Sequence, residues 1–200
     1  MTDKNIASSA QKILTAATEL FSRNYFSSVS IKEIAAVSGV NSALISYYFG
    51  GKKNLYQEVL NTEAEVFLTL QDKIRLMNIT PLTKLRQYVL DISDSQTINP
   101  YSLHLVYREL LSPQPMFEGY VKNKLYRIHL FMTELVEQAI NCGEITAKIK
   151  PTHVAFTLES IIMFFFLTKK HVQTIGNFDP DGEYGYLQEA LDSYLASLSH

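Results

Sequence analysis

Apolar residues recur three and four positions apart along most of the chain, the spacing that places them on one face of an α-helix. The pattern is clear at Ile13, Leu14, Ala17, Leu20 and Phe21, and no stretch alternates convincingly with period two. Gly and Pro are few, at 8 and 6, so few positions interrupt the helices. The sequence therefore predicts an all-α protein.

Capping and breaking residues divide this pattern into separate helices. Ser30 and Glu33 have the spacing of a capping box, Gly39 ends that helix, and Asn41 is a second N-cap candidate. The predicted helices cover 8–24, 31–38, 41–48, 52 to about 77, 81–94, 101–111, 116–141, 152–171 and 182–198.

The second and third of these helices are short and joined by a tight turn containing glycine, as in a helix-turn-helix motif. In that motif the later helix enters the major groove of DNA. The spacing by itself also fits a small helical domain with no role in DNA binding, because short helices around a glycine turn are common.

The residues at these positions resemble the N-terminal domain of TetR-family transcriptional regulators. The resemblance is carried by KILTAATELF at 12–21, SIKEIA at 30–35, SGVN at 38–41, and then Ile45, Tyr47, Tyr48, Phe49, Lys52, Leu55 and Tyr56. It implies a DNA-binding domain at 1–52, with the helix-turn-helix at 30–49, and a helical effector-binding and dimerisation domain at 53–200.

The resemblance also implies which side chains meet DNA: Ser30, Asn41, Ser42, Ala43, Tyr47, Tyr48 and Lys52. Ser30 stands where the family caps the second helix and touches phosphate. Ser42 and Ala43 stand at base-contacting positions, and Tyr47, Tyr48 and Lys52 at positions that hold phosphate. Hydroxyl and ammonium groups at helix N-termini suit phosphate oxygens. The alternatives are that Tyr47 and Tyr48 only pack within a small helical domain and that Lys52 is an ordinary solvated lysine.

The recognition helix departs from the most familiar chemistry of base reading. Residues 41–46, NSALIS, contain no Arg or Lys to pair with guanine, so base contacts would rest on small polar and apolar side chains. Residues 1–60 carry six Lys/Arg and four Asp/Glu, a net +2, whereas residues 61–200 carry twelve and sixteen, a net −4. Such modest basicity predicts weak binding by one subunit and favours a homodimer on a palindromic double-stranded operator.

Two further surfaces are predicted in the second domain. The run IIMFFFL at 161–167 is apolar all round its helix, and the resemblance implies a dimer formed through the last two helices. The candidate interface residues are Phe164, Leu187, Leu191, Tyr194 and Leu195.

The aromatic-rich segment 81–141 carries His104, Tyr107 and Arg108, which we interpret as contacts for an unidentified small hydrophobic effector. The alternative interpretation is that these aromatic residues are ordinary core residues and that Arg108 pairs with a surface carboxylate.

Several classes of protein find no support in the sequence. The single cysteine, Cys142, and five histidines without metal-ligand spacing indicate no metal site, and no nucleophile elbow, phosphate loop or dinucleotide motif is present. We therefore expect no catalytic residue and no cofactor. The N-terminus lacks the pattern of a secretory signal, and the apolar region 154–167 is shorter than a membrane span and contains Glu159, which predicts a cytoplasmic protein without a membrane partner.

The predicted function is a sequence-specific DNA-binding transcriptional regulator, a repressor released from its operator by a small hydrophobic effector. The alternative is a helical ligand-binding or carrier protein without DNA recognition, which the absence of a basic residue in the recognition helix favours. A helical enzyme ranks third, because no catalytic constellation is found.

Overall fold

The structure is a computed structural model that describes residues 2–111, 119, 121–146, 148–175 and 183–199. Within that part of the chain the regular structure is helical and no strand is found, so the all-α prediction is confirmed. The chain divides into two compact units, Met1–Ala64 and Glu65–His200. The functional boundary after residue 52 stays a prediction, because it concerns where DNA contacts end rather than where packing changes.

The N-terminal unit contains α1 (Thr2–Arg23), α2 (Ile31–Ser38), α3 (Ala43–Phe49) and the first part of α4 (Lys52–Arg75). Each helix contributes apolar side chains to one core, namely Ile13, Ala17, Phe21, Ile34, Ile45, Leu55 and Val59, all with no exposed surface. Burial of one such large side chain contributes about 1.5–3 kcal/mol. This core fixes α2 and α3 against α1.

In the described part of the C-terminal unit, the rest of α4 is followed by five named helices. They are α5 (Pro81–Ile98), α6 (Ser102–Leu111), α7 (a π-helical start at Val121–Leu125 continued by Tyr126–Asn141), α8 (Pro151–Ile175) and α9 (Glu183–Ser197). Within this unit α7 packs on α5 and α8, while α6 and α9 both pack on α8. Tyr88 of α5 and Phe131 of α7 meet edge to face at 4.9 Å in the core.

The predicted helices agree with these elements except near their ends. α1 begins at Thr2 rather than Ser8, and α5 continues to Ile98 rather than stopping near Asp94. The first residues of the helix predicted at 116–141 lie outside the described residues. The third helix begins at Ala43 because Asn41 and Ser42 form the turn that leads into it.

The apolar segment of helix α8 is longer than the predicted region 154–167. Its segment Pro151–Lys169 has the length, 19 residues, and the mean hydropathy, 1.4, of a membrane span. However, Val154, Ala155, Leu158 and Ile162 are buried against the other helices of the unit. Only 28% of this segment is buried, and Phe164 on the same helix is 68% exposed, so much of the apolar surface of α8 faces outward in the single chain.

Candidate nucleic-acid interface

The N-terminus of α2 is closed by a complete capping box. The Ser30 side-chain oxygen accepts from the backbone N–H of Glu33 at 3.1 Å, and the Glu33 carboxylate accepts from the backbone N–H of Ser30 at 2.6 Å. Hydrogen bonding of the Glu33 carboxylate to Ser30, first to its side chain and then to its backbone N–H, lowers the pKa of the Glu33 carboxyl. Ser30 is exposed, so the hydroxyl that caps the helix also faces solvent on the side where a phosphate could approach.

The turn between α2 and α3 depends on one glycine and one asparagine. Gly39 ends α2 with φ +66°, a conformation that glycine adopts without strain. The Asn41 side-chain oxygen accepts from the backbone N–H of Ala43 at 2.9 Å, whereas the Ser42 side chain makes no capping bond. Asn41, Ser42 and Ala43 are all exposed, so the start of α3 presents small side chains to solvent.

Tyr47 is the large side chain that α3 exposes. Its exposed fraction is 74%, and its ring packs against Tyr48 edge to face at 5.0 Å. Tyr48 is half-buried and also contacts Phe49, at 6.4 Å between ring centroids. Tyr48 thus has a packing role, while the position of Tyr47 outside the core leaves its phenol available to a partner.

Lys52 occupies a different environment from a solvated lysine. Its ammonium donates to the backbone carbonyl of Val29 at 2.7 Å and lies 4.3 Å from the centroid of the Phe26 ring. The side chain is only half-exposed. The sequence indicated neither contact, because Phe26 and Val29 lie more than 20 positions before Lys52 and no local spacing connects them.

The residues predicted to form the dimer interface fall into two groups. Leu187, Leu191 and Leu195 are buried within the protomer, with exposed fractions of 2%, 5% and 1%. They hold α9 in the C-terminal unit, so their side chains are not available to a partner as the sequence suggested. Phe164 is exposed and Tyr194 half-exposed.

A groove of about 660 Å³ follows the outer surface of α8 and α9 beside Phe164. It is lined by Thr157, Ser160, Ile161, Phe164, Phe165, Thr168, Tyr186 and Ala190. Tyr186, which is 47% exposed, lies 6.2 Å from Phe165 between ring centroids. The groove therefore has an aromatic wall with hydroxyl groups along α8.

The residues predicted to contact an effector all lie on α6. His104 is exposed, and Tyr107 and Arg108 are half-buried. A cavity of about 260 Å³ between α5, α8 and α9 has a different lining: Leu85, Arg86, Val89, Leu90, Leu158, Gln188, Leu191, Asp192 and Leu195. Arg86 and Asp192 form an ion pair there at 2.8 Å. The sequence pattern does not indicate this cavity, because its walls come from helices that are distant in the chain.

Comparison with known proteins covers both units. Residues 13–59 match the sequence model described as "Bacterial regulatory proteins, tetR family". The probable HTH-type transcriptional regulator YttP of Bacillus subtilis is 26% identical over 181 residues, 90% of this chain and 87% of YttP. The HTH-type transcriptional repressor NicS of Pseudomonas putida is 26% identical over 166 residues, 80% of this chain and 76% of NicS.

Solved structures share the fold over almost the whole chain. A TetR-like transcriptional regulator from Rhodococcus sp. RHA1 superposes with a TM-score of 0.72, covering 94% of this chain and 96% of that one at 20% sequence identity. The likeness therefore includes the helical C-terminal unit, which lies outside the matched residues 13–59.

Proposed function

Because the chain belongs to the TetR family of DNA-binding transcriptional regulators, we propose that it is a homodimeric repressor released from a palindromic operator by a small hydrophobic effector. The observation that carries the DNA-binding part is the exposure of Ser30, of Asn41 to Ala43, and of Tyr47. These groups lie at the N-termini of α2 and α3 or on the outer face of α3.

In the proposed complex, α3 enters the major groove and Ser42 and Ala43 meet base edges. Ser30 and Tyr47 donate hydroxyl hydrogen bonds to phosphates, and the dipole at the N-terminus of α2 favours the phosphate beside Ser30. Tyr48 fixes the orientation of Tyr47 by ring packing. The exposed Lys32 and Lys53 add charge that attracts the DNA backbone.

The proposed dimer covers the groove beside Phe164. Three observations support a second copy there: the outward-facing Phe164, the adjacent Tyr186 and the continuity of the groove along α8 and α9. Homodimers of this kind use the same patch on both subunits, which gives the pair a twofold axis and matches a palindromic site. Half-site centres would then lie about 34–36 Å apart or a multiple of one DNA turn.

For the effector we propose a small, mostly apolar molecule in the C-terminal unit. His104, Tyr107 and Arg108 on α6 are one candidate set of contacts. The cavity beside Arg86 and Asp192 is the other, because it joins leucine walls to a polar edge, as ligand sites commonly do. An effector that prefers the conformation unsuited to DNA lowers operator affinity by linkage.

The test is a gel-shift titration with the DNA upstream of the protein's own gene, in competition with unrelated DNA of the same length. The proposal expects a discrete complex that survives a large excess of the unrelated competitor. Equal competition by both DNAs would exclude sequence-specific regulation and favour a helical carrier protein. Light scattering on the same sample checks the dimer.

A further inference from the structure

Lys52 opens α4, and its side chain turns back onto the segment that joins α1 to α2. The ammonium donates to the Val29 carbonyl and lies over the face of the Phe26 ring. A cation at the start of a helix is disfavoured by the helix dipole, and these two contacts offset that cost. The side chain is therefore held by specific partners.

The segment that Lys52 holds leads directly into the cap of α2. Val29 is buried and immediately precedes Ser30, whose hydroxyl closes the capping box. Phe26 packs at 6.1 Å from Phe21 and 5.1 Å from Tyr56, which ties the same turn to α1 and α4. The position of Ser30 thus depends on how firmly Val29 and Phe26 are anchored.

The charge of Lys52 also reaches the capping box. It contributes to lowering the pKa of the Glu33 carboxyl, after the larger effect of the hydrogen bonds from Ser30. The ionised carboxylate accepts the backbone N–H of Ser30. Lys52 therefore supports the cap both through the preceding turn and through this charge.

We propose that Lys52 is a positioning residue for DNA binding: by holding the Val29 carbonyl and the Phe26 ring, it fixes the N-terminus of α2 and with it Ser30. For its effect on DNA the inference rests on the proposed function. It differs from the phosphate contact that the family resemblance implies, in which the charge itself binds DNA. The two roles predict different responses to salt.

The first experiment uses the protein alone and compares Lys52→Met with Lys53→Met. Lys53 is the exposed next residue, so its variant removes the same charge without disturbing the turn. We expect the backbone amides of Ser30 and Glu33 to exchange with solvent about tenfold faster in Lys52→Met, and at the original rate in Lys53→Met and Lys52→Arg. Unchanged exchange in Lys52→Met would overturn the positioning role.

The second experiment measures operator affinity over a range of salt concentrations. Positioning predicts that Lys52→Met binds about tenfold more weakly at every salt concentration, with the original slope of log affinity against log salt. Phe26→Leu, which keeps the charge, should behave in the same way, with circular dichroism confirming that both variants are folded at the assay temperature.

A direct phosphate interaction predicts instead that Lys52→Met reduces the slope by about 0.9 for each phosphate that the ammonium neutralises and that Phe26→Leu has no effect. That result would overturn the inference. If the unaltered protein binds no DNA specifically, the proposed function fails, and the exchange experiment still decides whether Lys52 holds the turn.

Discussion

The Glu159 carboxylate lies 3.1 Å from Nδ1 of His129, joining α8 to α7 inside the C-terminal unit. Both side chains are largely buried. Burial raises the pKa of the Glu159 carboxyl, and the charge and hydrogen bond of His129 counteract this only in part. Burial likewise raises the pKa of the nearby Tyr88 hydroxyl, with the Glu159 charge adding to the effect.

This relationship predicts a pH dependence of stability. A carboxyl whose folded pKa is raised binds its proton more tightly in the folded state than in the unfolded state. The contribution of this proton to the free energy of unfolding is full below the ordinary pKa of 4.5 and is lost as pH rises through the folded pKa. We expect Glu159→Gln to gain stability relative to the unaltered protein over that window and to match it at lower pH. Urea unfolding at several pH values, with exposed Glu189→Gln as control, measures the difference. A gap that widens toward acid pH would contradict the prediction.

The capping box at Ser30 allows helix stability to be separated from DNA binding. Ser30→Ala should cost about 1 kcal/mol of unfolding free energy, because the Glu33 N–H loses its acceptor. Ser30→Asp restores a good cap but places a negative charge beside the proposed phosphate. We expect this variant to unfold like the original protein and to bind operator DNA much more weakly. Undiminished binding by Ser30→Asp would remove this position from the interface.

Tyr47 offers a second test of the interface with little effect on folding. Its side chain is 74% exposed, so Tyr47→Ala should change the unfolding free energy by no more than about 0.5 kcal/mol. Binding should weaken about equally for operator and unrelated DNA, because a phosphate contact carries no sequence information. Fluorescence anisotropy with both DNAs provides the measurement. A loss confined to the operator would instead indicate that Tyr47 reads bases.

The helices and the capping box could be predicted because they depend on residues close together in the chain. Ser30 and Glu33 are three positions apart, and the hydrogen bonds occur as their spacing indicated. The environment of Lys52 could not be predicted, since its partners come from another part of the N-terminal unit. The same reason explains α9: periodicity identifies Leu191 as apolar, but only packing decides whether it faces its own core or a partner.

Assembly should respond differently to a charge in the exposed groove along α8 and α9 and to a charge in the protomer core that α9 packs on. Phe164→Glu places a charge on the exposed groove and should give folded monomers at micromolar concentration. Leu191→Glu places a charge in the protomer core and should prevent stable folding. Light scattering with circular dichroism distinguishes the two results. Tyr126→Glu, at an aromatic residue that is 58% exposed elsewhere, is the control and should stay dimeric. Dimeric Phe164→Glu would exclude the groove as the interface.

The two candidate effector sites can be distinguished by a thermal-shift screen of small hydrophobic compounds, including aromatic and weakly anionic ones. A true effector should stabilise the protein by about 2.7 kcal/mol at one hundred times its dissociation constant and should lower operator affinity.

Loss of the shift in His104→Ala and Arg108→Ala assigns the ligand to α6. Loss in Arg86→Ala alone assigns it to the leucine-lined cavity, where the Arg86 guanidinium pairs with Asp192. Because Arg86 and Asp192 are each nearly half exposed, Arg86→Ala itself should cost no more than about 1 kcal/mol of stability. Identical shifts in all three variants would exclude both sites.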